Sequence, residues 1–567
     1  MPSKHLQDLA LSMRSGRIRE ELSSTSVSSE IRLKSDEDTK GFSNNSEARF
    51  AQRLADFPLR KVTYCGSLEF QQALQIRYSN DATAYAVGDL AESDPINSAA
   101  QLLSKRQIFF LSISAMAIIS LLVTFPVPII IAFNIIVTSY FLIAIVFRLF
   151  LASRPLKDNK AGPLPGDASP LYNDHNEDAR LPVVSILLPL FREASSLPSL
   201  FAAVSKLDYP PEKMDVKLII EEEDEATITA AESLHLFEKW DVVTVPPSHP
   251  QTKPKACNYA LAFAKGELTV IYDAEDEPEP DQLRKAAAVF ASDDDNLICV
   301  QARLNFYNAH ENWLTRLFAL EYALWFDNLL PALIDLGAPI PLGGTSNFFR
   351  TQKLMEIGAW DPFNVTEDAD LGLRIARKGY TVKIIDSTTF EEANCRLINW
   401  IRQRSRWMKG YLQTWIVDLR QPARGRDGSR AKGLASSQMF IAATAISALI
   451  NPVLWGLFFY WLLTKSTYIG LIFPEPLLSF NLFALLFGNA LFIYLAMTAP
   501  VRRGWHELSP WALLAPFYWW LASLAAYIGL WQLVTRPSYW EKTDHGISRI
   551  AKQKAERLLA NPDERQR

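Results

Sequence analysis

Between residues 270 and 280 the chain reads VIYDAEDEPEP. Asp273, Glu275, Asp276, Glu277 and Glu279 follow directly on an apolar run, ELTVIY. Such a cluster either faces water or holds a hard cation through its oxygens. Three other stretches carry comparable chemistry. EEEDEAT puts Glu221, Glu222 and Glu223 after the apolar DVKLII. TEDADLGLRIARKGY, residues 366–380, groups Glu367, Asp368 and Asp370 behind Thr366, a good helix cap. NWIRQRSRWMKG reads as a basic amphipathic helix that places Gln403 and Arg406 on one side at i, i+3, with Trp407 beside them.

The elements that must position these residues form an α/β pattern from residue 183. VVSILLPL is a continuous apolar strand of the kind buried on both faces. Helix SSLPSLFAAVSKL, strand DVKLII, helix ATITAAESLHLF, strand DVVTVP, helix PKACNYALAFAKG and strand LTVIY follow in order. This alternation predicts a mostly parallel sheet with helices on both faces, whose ligands bind beyond the carboxyl ends of strands. Glu221–Glu223 and Asp273–Asp276 both sit at such ends, which favours a role in binding over a solvated turn.

Flanking this pattern are membrane-length apolar blocks. Residues 108–150 carry no charge before Arg148 and are about twice the ~20 residues of one span, with Pro126 and Pro128 in the middle, so a hairpin of two spans is expected over 105–150. Further blocks cover 438–463, 476–498 and 510–534. Lys105 and Arg106 before the hairpin and Arg148, Arg154, Lys157 and Lys160 after it place both ends, and the segment that follows, in the cytoplasm; Arg502, Arg503 and the basic tail (Arg549, Lys552, Lys554, Arg557) read the same way. Three late spans would leave that tail outside, so either a span is missed or block 510–534, with Pro516 and four tryptophans, is re-entrant or interfacial.

The remaining divisions are a disordered segment over 1–50, a small cytoplasmic region over 51–104 in which TAYAVGDL reads as a strand, a linker over 151–182, the α/β domain over 183–395, interfacial helices over 396–437, a membrane region over 438–535 and a cytoplasmic tail over 536–567. A net charge of −4, from 58 basic and 62 acidic residues, argues against a nucleic-acid partner. Cys65, Cys257, Cys299 and Cys395 are scattered without disulfide or zinc-ligand spacing.

Taken together, these motifs resemble the inverting, membrane-embedded family 2 glycosyltransferases, the group that includes cellulose, chitin and hyaluronan synthases. VSILLPLFREASSL is similar to the family's opening strand and turn, PKACNYAL to its K-A-x-A-L-N element, DAEDEPEP to D-x-D, TEDADLGL to TED, and QRSRW, 403–407, to the Q-x-x-R-W of processive members. The resemblance covers 105 to 545. It implies a GT-A-like cytoplasmic glycosyltransferase domain inserted between transmembrane helices, in a multi-pass protein of the cytoplasmic (inner) membrane.

It further implies an inverting hexosyltransferase that polymerises a β-linked polysaccharide from a nucleotide-diphosphate sugar, such as UDP-glucose, and secretes it through its own helices. A polyprenyl-phosphate glycosyltransferase and a non-catalytic export component are the alternatives. In the matched positions Asp368 is the catalytic base. Glu221, Glu222, Lys255 and Asp273 meet the nucleotide sugar, and Asp273 and Glu275 hold Mg²⁺ or Mn²⁺, with Asp276 in reserve. Glu367, Gln403, Arg406 and Trp407 meet acceptor or diphosphate. The glycines of PLGGTSNFFR permit close backbone approach on the acceptor side, and Trp360 lines the acceptor path or the core. Glu275, Glu221 and Glu222 stand where the family carries Asp. The implied partners are the sugar donor, the growing polysaccharide, the bilayer and accessory export proteins.

Overall fold

The computed structural model describes residue 72 and residues 75–154, 177–293, 295–420 and 437–560. The expected N-terminal disorder, most of the linker and the end of the interfacial region lie outside the described residues.

Helix α1, Ser79–Ser93, includes the stretch expected as a strand. It buries Ala82, Tyr85, Ala86 and Leu90 at the 3.6-residue period, and that burial against the α/β domain decides its conformation. Two membrane-length helices follow, α2 over Lys105–Thr124 and α3 over Pro126–Ser153, parted only by Phe125. Ser104 and Gln107 close a capping box at the start of α2. No residue of α2 is buried, whereas α3 buries Asn134, Val137, Thr138, Ala144, Ile145 and Leu151.

The α/β region then runs β1 Val184–Leu190, α4 Leu197–Ser205, β2 Met214–Glu221, α5 Glu225–Ser233, β3 Asp241–Val245, α6 Lys253–Leu261 and β4 Leu268–Ile271, close to the sequence boundaries. It continues through β5 Glu277–Pro278, α7 Gln282–Ser292, β6 Leu297–Phe306, α8 Trp313–Leu324 with its extension to Asp335, β7 Asn347–Arg350, α9 Glu367–Arg377 and β8 Thr381–Glu391. The sheet order is β3-β2-β1-β4-β7-β6-β8-β5. β1, β2, β3 and β4 are parallel, as are β6 and β8, while β7 runs against both its neighbours. This is the GT-A-like, mostly parallel sheet expected. Alternate residues of β1 feed two cores: Leu187 joins Tyr259 of α6 and Phe263 just beyond it on one face, and Ile186 and Leu188 join Leu200, Phe201 and Phe290 on the other.

After the sheet come α10 Leu397–Asp418, α11 Ala443–Thr464, α12 Leu477–Thr498, α13 Ala515–Thr535 and α14 Arg549–Ala560. Among the described residues six helices are long and apolar enough to cross a membrane: α2, α3, Trp313–Asp335, Ser437–Thr464, Leu477–Arg503 and His506–Thr535. Sequence reading missed the span-like Trp313–Asp335. Its window is 67% buried, packed between the sheet and the late helices through Phe318, Leu320, Trp400 and Tyr518.

The α/β domain is tied directly to the chain leading into α2. Asp361 accepts from the backbone N–H of Ala99 at 2.5 Å and from Ser98 Oγ at 3.4 Å. Just beyond α10, the Arg420 guanidinium donates to the carbonyls of Pro95, Ile96, Ser98, Gln101 and Leu102. Gln107 Nε2 in α2 donates to the Ile416 carbonyl at 2.8 Å.

Candidate active site

A cavity of ≈ 1140 Å³ lies beyond the carboxyl ends of β1, β2 and β4, and its wall includes residues of α3, α10, α11, α12 and α13. Glu221, Asp273, Glu275, Glu367, Asp368, Gln403, Arg406 and Trp407 all line it. Glu222 does not, and neither does Lys255. The latter is fully buried, with Nζ 2.9 Å from Glu221 Oε2 and 3.4 Å from the Pro246 carbonyl. It is therefore spent beneath Glu221, so the expected contact between Lys255 and the nucleotide is not available. The lysine that does face the cavity is Lys253, two residues earlier. It pairs with Asp273 and donates to the Gly344 carbonyl at 2.8 Å.

The acidic turn after β4 separates into distinct environments. Asp276 accepts the backbone N–H of Asp273 at 2.7 Å and the Thr345 hydroxyl through Oδ2, but its buried Oδ1 has no partner among the described residues. Burial first, then the charges of Asp273 and Glu275, push Asp276 well above the usual carboxylate range. Glu391, on the same wall, is pushed well up by burial and by Asp276, Glu275 and Asp273. Glu275 faces His545 at 2.8 Å; burial alone would lower that imidazole, but Glu275 holds it up to about 9. Glu277 pairs with Lys554 at 2.5 Å rather than facing only water, and Glu279 accepts the N–H of Thr388 at 3.2 Å.

The TED turn and α10 are held by close packing. Thr366 occupies the cap position of α9 without a side-chain capping bond. Its side chain is instead pressed against Gly410 of α10, where a Cβ would stand 2.4 Å from Thr366 Cγ2. Gly372 similarly lets α9 lie against the Ile340 carbonyl, where a Cβ would be 2.1 Å away. Burial, reinforced by Asp368, pushes Glu367 up to about 8. Burial also raises Asp368, against the pull of the Ala369 N–H at 2.7 Å, Lys253 and Arg406. A Cβ at Gly344 would lie 3.3 Å from Asp368 Oδ2, so the glycine loop passes directly over the carboxylate.

On α10, Gln403 Oε1 accepts from Asn394 at 2.9 Å, and the Arg406 guanidinium lies 4.3 Å from the Trp540 ring centroid. Trp407 stacks on Tyr322 with 6.4 Å between centroids and 25° between planes. Arg404, absent from the sequence-based site, anchors this face. It forks onto Glu321 at 2.8 and 2.5 Å and sits 4.4 Å from Phe318 and 4.5 Å from Trp407. Trp360 is core, edge-on to Phe349 at 5.7 Å. Besides Lys253 and Arg404, sequence reasoning missed Trp540 and His545. Their signal was YWEKTDHG, an aromatic and charged run directly after the last apolar block.

Residues 268–537 match the family model described as "Glycosyl transferase family group 2". This segment is a family 2 glycosyltransferase domain. The strands before residue 268 fall outside the match. The chain is similar to the beta-monoglucosyldiacylglycerol synthase of Trichormus variabilis, 27% identical over 261 residues, 45% of this chain and 55% of that protein. It is also similar to glucomannan 4-beta-mannosyltransferase 1 of Oryza sativa subsp. japonica, 26% identical over 240 residues, 41% of this chain and 44% of that protein. The chain thus spans about half the length of the curated relatives it matches. Among solved structures it is similar to the mannosyltransferase PcManGT from Pyrobaculum calidifontis in complex with GDP-Man and Mn²⁺, with a TM-score of 0.43, 17% identity, and coverage of 71% of this chain and 99% of that one.

Proposed function

We propose that the protein is an inverting glycosyltransferase that moves a sugar from a nucleotide-diphosphate donor onto a membrane-held acceptor at the cytoplasmic face of the inner membrane. The observation that carries this reading is the meeting of Asp368, the Asp273–Lys253 pair and Arg406 in one cavity whose far wall is made of membrane-length helices.

In this reading Asp368 takes the proton from the acceptor hydroxyl. Glu367, pushed up to about 8 by burial and by Asp368, favours its protonated form at neutral pH, which relieves the repulsion beside Asp368. A carboxylate raised by burial is a stronger base than one in water. The Arg406 guanidinium can fork onto diphosphate oxygens, and the Trp407 face suits the apolar face of a sugar ring. Glu221, backed by Lys255, is placed to accept hydrogen bonds from the nucleotide. A base on the face opposite the leaving group inverts the anomeric centre, so an α-donor gives a β-linkage.

A divalent cation fits the acidic turn. Asp273, Glu275, Asp276 and Glu391 bring four carboxyl groups together, burial and mutual repulsion disfavour the charged forms of Asp276 and Glu391 in the absence of a cation, and among the described residues Asp276 Oδ1 is a buried oxygen without a partner. Asp273, Glu275 and Asp276 are the residues that would hold Mg²⁺ or Mn²⁺. When bound, the ion would neutralise charge developing on the diphosphate.

The finer reading is processive polymerisation with release through the helices. Gln403, Arg406 and Trp407 at the head of the membrane cavity support it. A second reading, glycolipid formation, is favoured by the apolar wall that α3 and α12 contribute. The test is nucleotide release by the purified full chain across a panel of UDP- and GDP-sugars with Mg²⁺ or Mn²⁺, followed by product sizing. Asp368→Asn should cut transfer by roughly 10²–10⁴-fold, and chelation should stop it. A high-mass product supports polymerisation; an organic-extractable glycolipid supports the second reading. An Asp368→Asn variant with wild-type turnover would sink the assignment.

A further inference from the structure

Tyr411 stands on α10 one turn beyond Trp407. Positions 403, 407 and 411 repeat at i, i+4, so Gln403, Trp407 and Tyr411 share one face of the helix, and all three line the cavity. The motif that marks this face ends at Trp407, and the transfer step described above leaves the phenol beyond it without a role.

Two contacts hold that phenol beside the proposed base. Its ring packs against Ala369 and Leu373 of α9 and against Ile441 just before α11, and Ala369 follows Asp368 directly. Gly410, its neighbour in the chain, is the residue pressed against Thr366. The hydroxyl is nonetheless unspent: among the described residues it has no hydrogen-bond partner, Asp368 included. Tyr518, on the same cavity, is by contrast bound to Glu321 at 2.6 Å. Burial, reinforced by Asp368 and opposed by Arg404, pushes the Tyr411 hydroxyl above the ordinary phenol range. It therefore stays neutral at working pH, able to donate one hydrogen bond and to accept another, and does not compete with Asp368 for a proton.

A carboxylate, a free phenol and an indole face around one space match a pyranose ring. The apolar C–H face lies on Trp407, and the hydroxyl that reacts meets Asp368. A second hydroxyl of the same ring, taken out of water, needs a partner of its own. The hydroxyls of a pyranose are alike in reactivity, so the one held by a fixed partner decides which of the others reaches the base.

We propose that Tyr411 binds a second hydroxyl of a pyranose acceptor and thereby sets the linkage that is formed. In the step, Asp368 takes the proton of the selected hydroxyl, that oxygen bonds to C1 of the donor sugar, and the bond from C1 to the nucleoside diphosphate breaks with its electron pair leaving on the diphosphate. The proposal rests on the reading of Asp368 as the base and adds to it the residue that chooses the hydroxyl.

The test begins with binding, which needs no turnover. The full chain in octaethylene glycol monododecyl ether, a detergent without a sugar head, is dialysed to equilibrium against radiolabelled cellotriose and, separately, mannotriose. Tyr411→Phe keeps the ring and its packing and removes only the hydroxyl, so its thermal melt should match wild type. Saturable binding of at least one trisaccharide by wild type is expected, weakened about three- to tenfold in Tyr411→Phe, the scale of one hydrogen bond between neutral groups. With that trisaccharide as acceptor, wild type should form a single linkage, read by methylation analysis, and Tyr411→Phe a mixture, while donor KM and nucleotide release to water stay unchanged. Absence of saturable binding by wild type, equal affinity in the two proteins, or the same single linkage from both overturns the proposal. An equal loss in donor KM and in release to water overturns it in favour of a role on the donor side, and a lowered melt in favour of packing alone. A wild type that binds trisaccharide through Tyr411 but transfers no sugar counts against the glycosyltransferase reading and leaves the binding site standing.

Discussion

Gly410→Ala isolates the contact that joins the TED turn to the helix carrying Gln403, Arg406 and Trp407. The added Cβ would stand 2.4 Å from Thr366 Cγ2, 2.5 Å from Oγ1 and 2.8 Å from Cβ. Ordinary contact begins near 3.4 Å, so roughly 1 Å of separation must be found. Thr366 is 6% exposed and tied to Asn364 and Thr414, so it cannot swing away. Overpacking of this kind costs about 1–3 kcal/mol. Because Glu367 and Asp368 follow Thr366 immediately, the displacement reaches the proposed base, where about 1 Å of misplacement is worth on the order of 10²-fold in rate. The assay is nucleotide release from the donor together with a thermal melt in detergent. Gly456→Ala on α11 is the internal control, since nothing lies within 4 Å of a Cβ there; it should melt no lower than wild type and turn over normally. If Gly410→Ala matches that control in both readouts, the packing of α10 on the TED turn does not hold the site.

Burial and the neighbouring Asp370 push the Asp361 carboxyl from an ordinary 3.8 up to about 6. A carboxyl raised on folding favours the protonated form. Its contribution is therefore intact below pH ~4 and lost as pH rises toward 6, a penalty of about 3 kcal/mol at neutral pH. Asp361→Asn should remove that dependence, and melts between pH 4 and 7 that run parallel for both proteins would refute it. Arg404→Lys loses one arm of the fork onto Glu321 and the flat contact with Phe318 and Trp407. It should lower stability by about 1.5–3 kcal/mol and raise the acceptor KM, read by denaturant unfolding and by acceptor titration; unchanged values in both would remove Arg404 as the anchor of this face.

The α/β order from β1 to β4 was legible because buried parallel strands are continuous apolar runs punctuated by helix starts. TAYAVGDL misled because AYAV, residues 84–87, is a short apolar run bounded by Thr83 and Gly88, which strand and helix share, and only docking on the α/β domain makes the stretch a helix. Trp313–Asp335 went unseen as a span-like element because its apolar residues serve a core, and length and hydropathy do not distinguish the two uses. At the site, residue types and order located the acidic turn, the TED turn and α10. They could not assign the lysines. Lys253 and Lys255 stand two apart at a helix start, and which one meets the cavity depends on how α6 rests against β2. Asp276 behaves similarly: its adjacency to Asp273 is in the sequence, but its orphaned Oδ1 arises from the fold of the turn beneath Thr345.

Arg420 grips five carbonyls of the chain that leads into α2, and Gln107 of α2 holds the far end of α10. The first membrane-length helix and the helix bearing Trp407 are thus coupled as lever and fulcrum. A rod without a single buried residue takes its tilt from the lipid around it, and tilt answers to the thickness of the hydrocarbon layer. Bilayer thickness therefore becomes an input to the geometry over Asp368. Turnover in vesicles of graded acyl length should pass through an optimum, and a Gln107→Ala, Arg420→Ala double variant should flatten it.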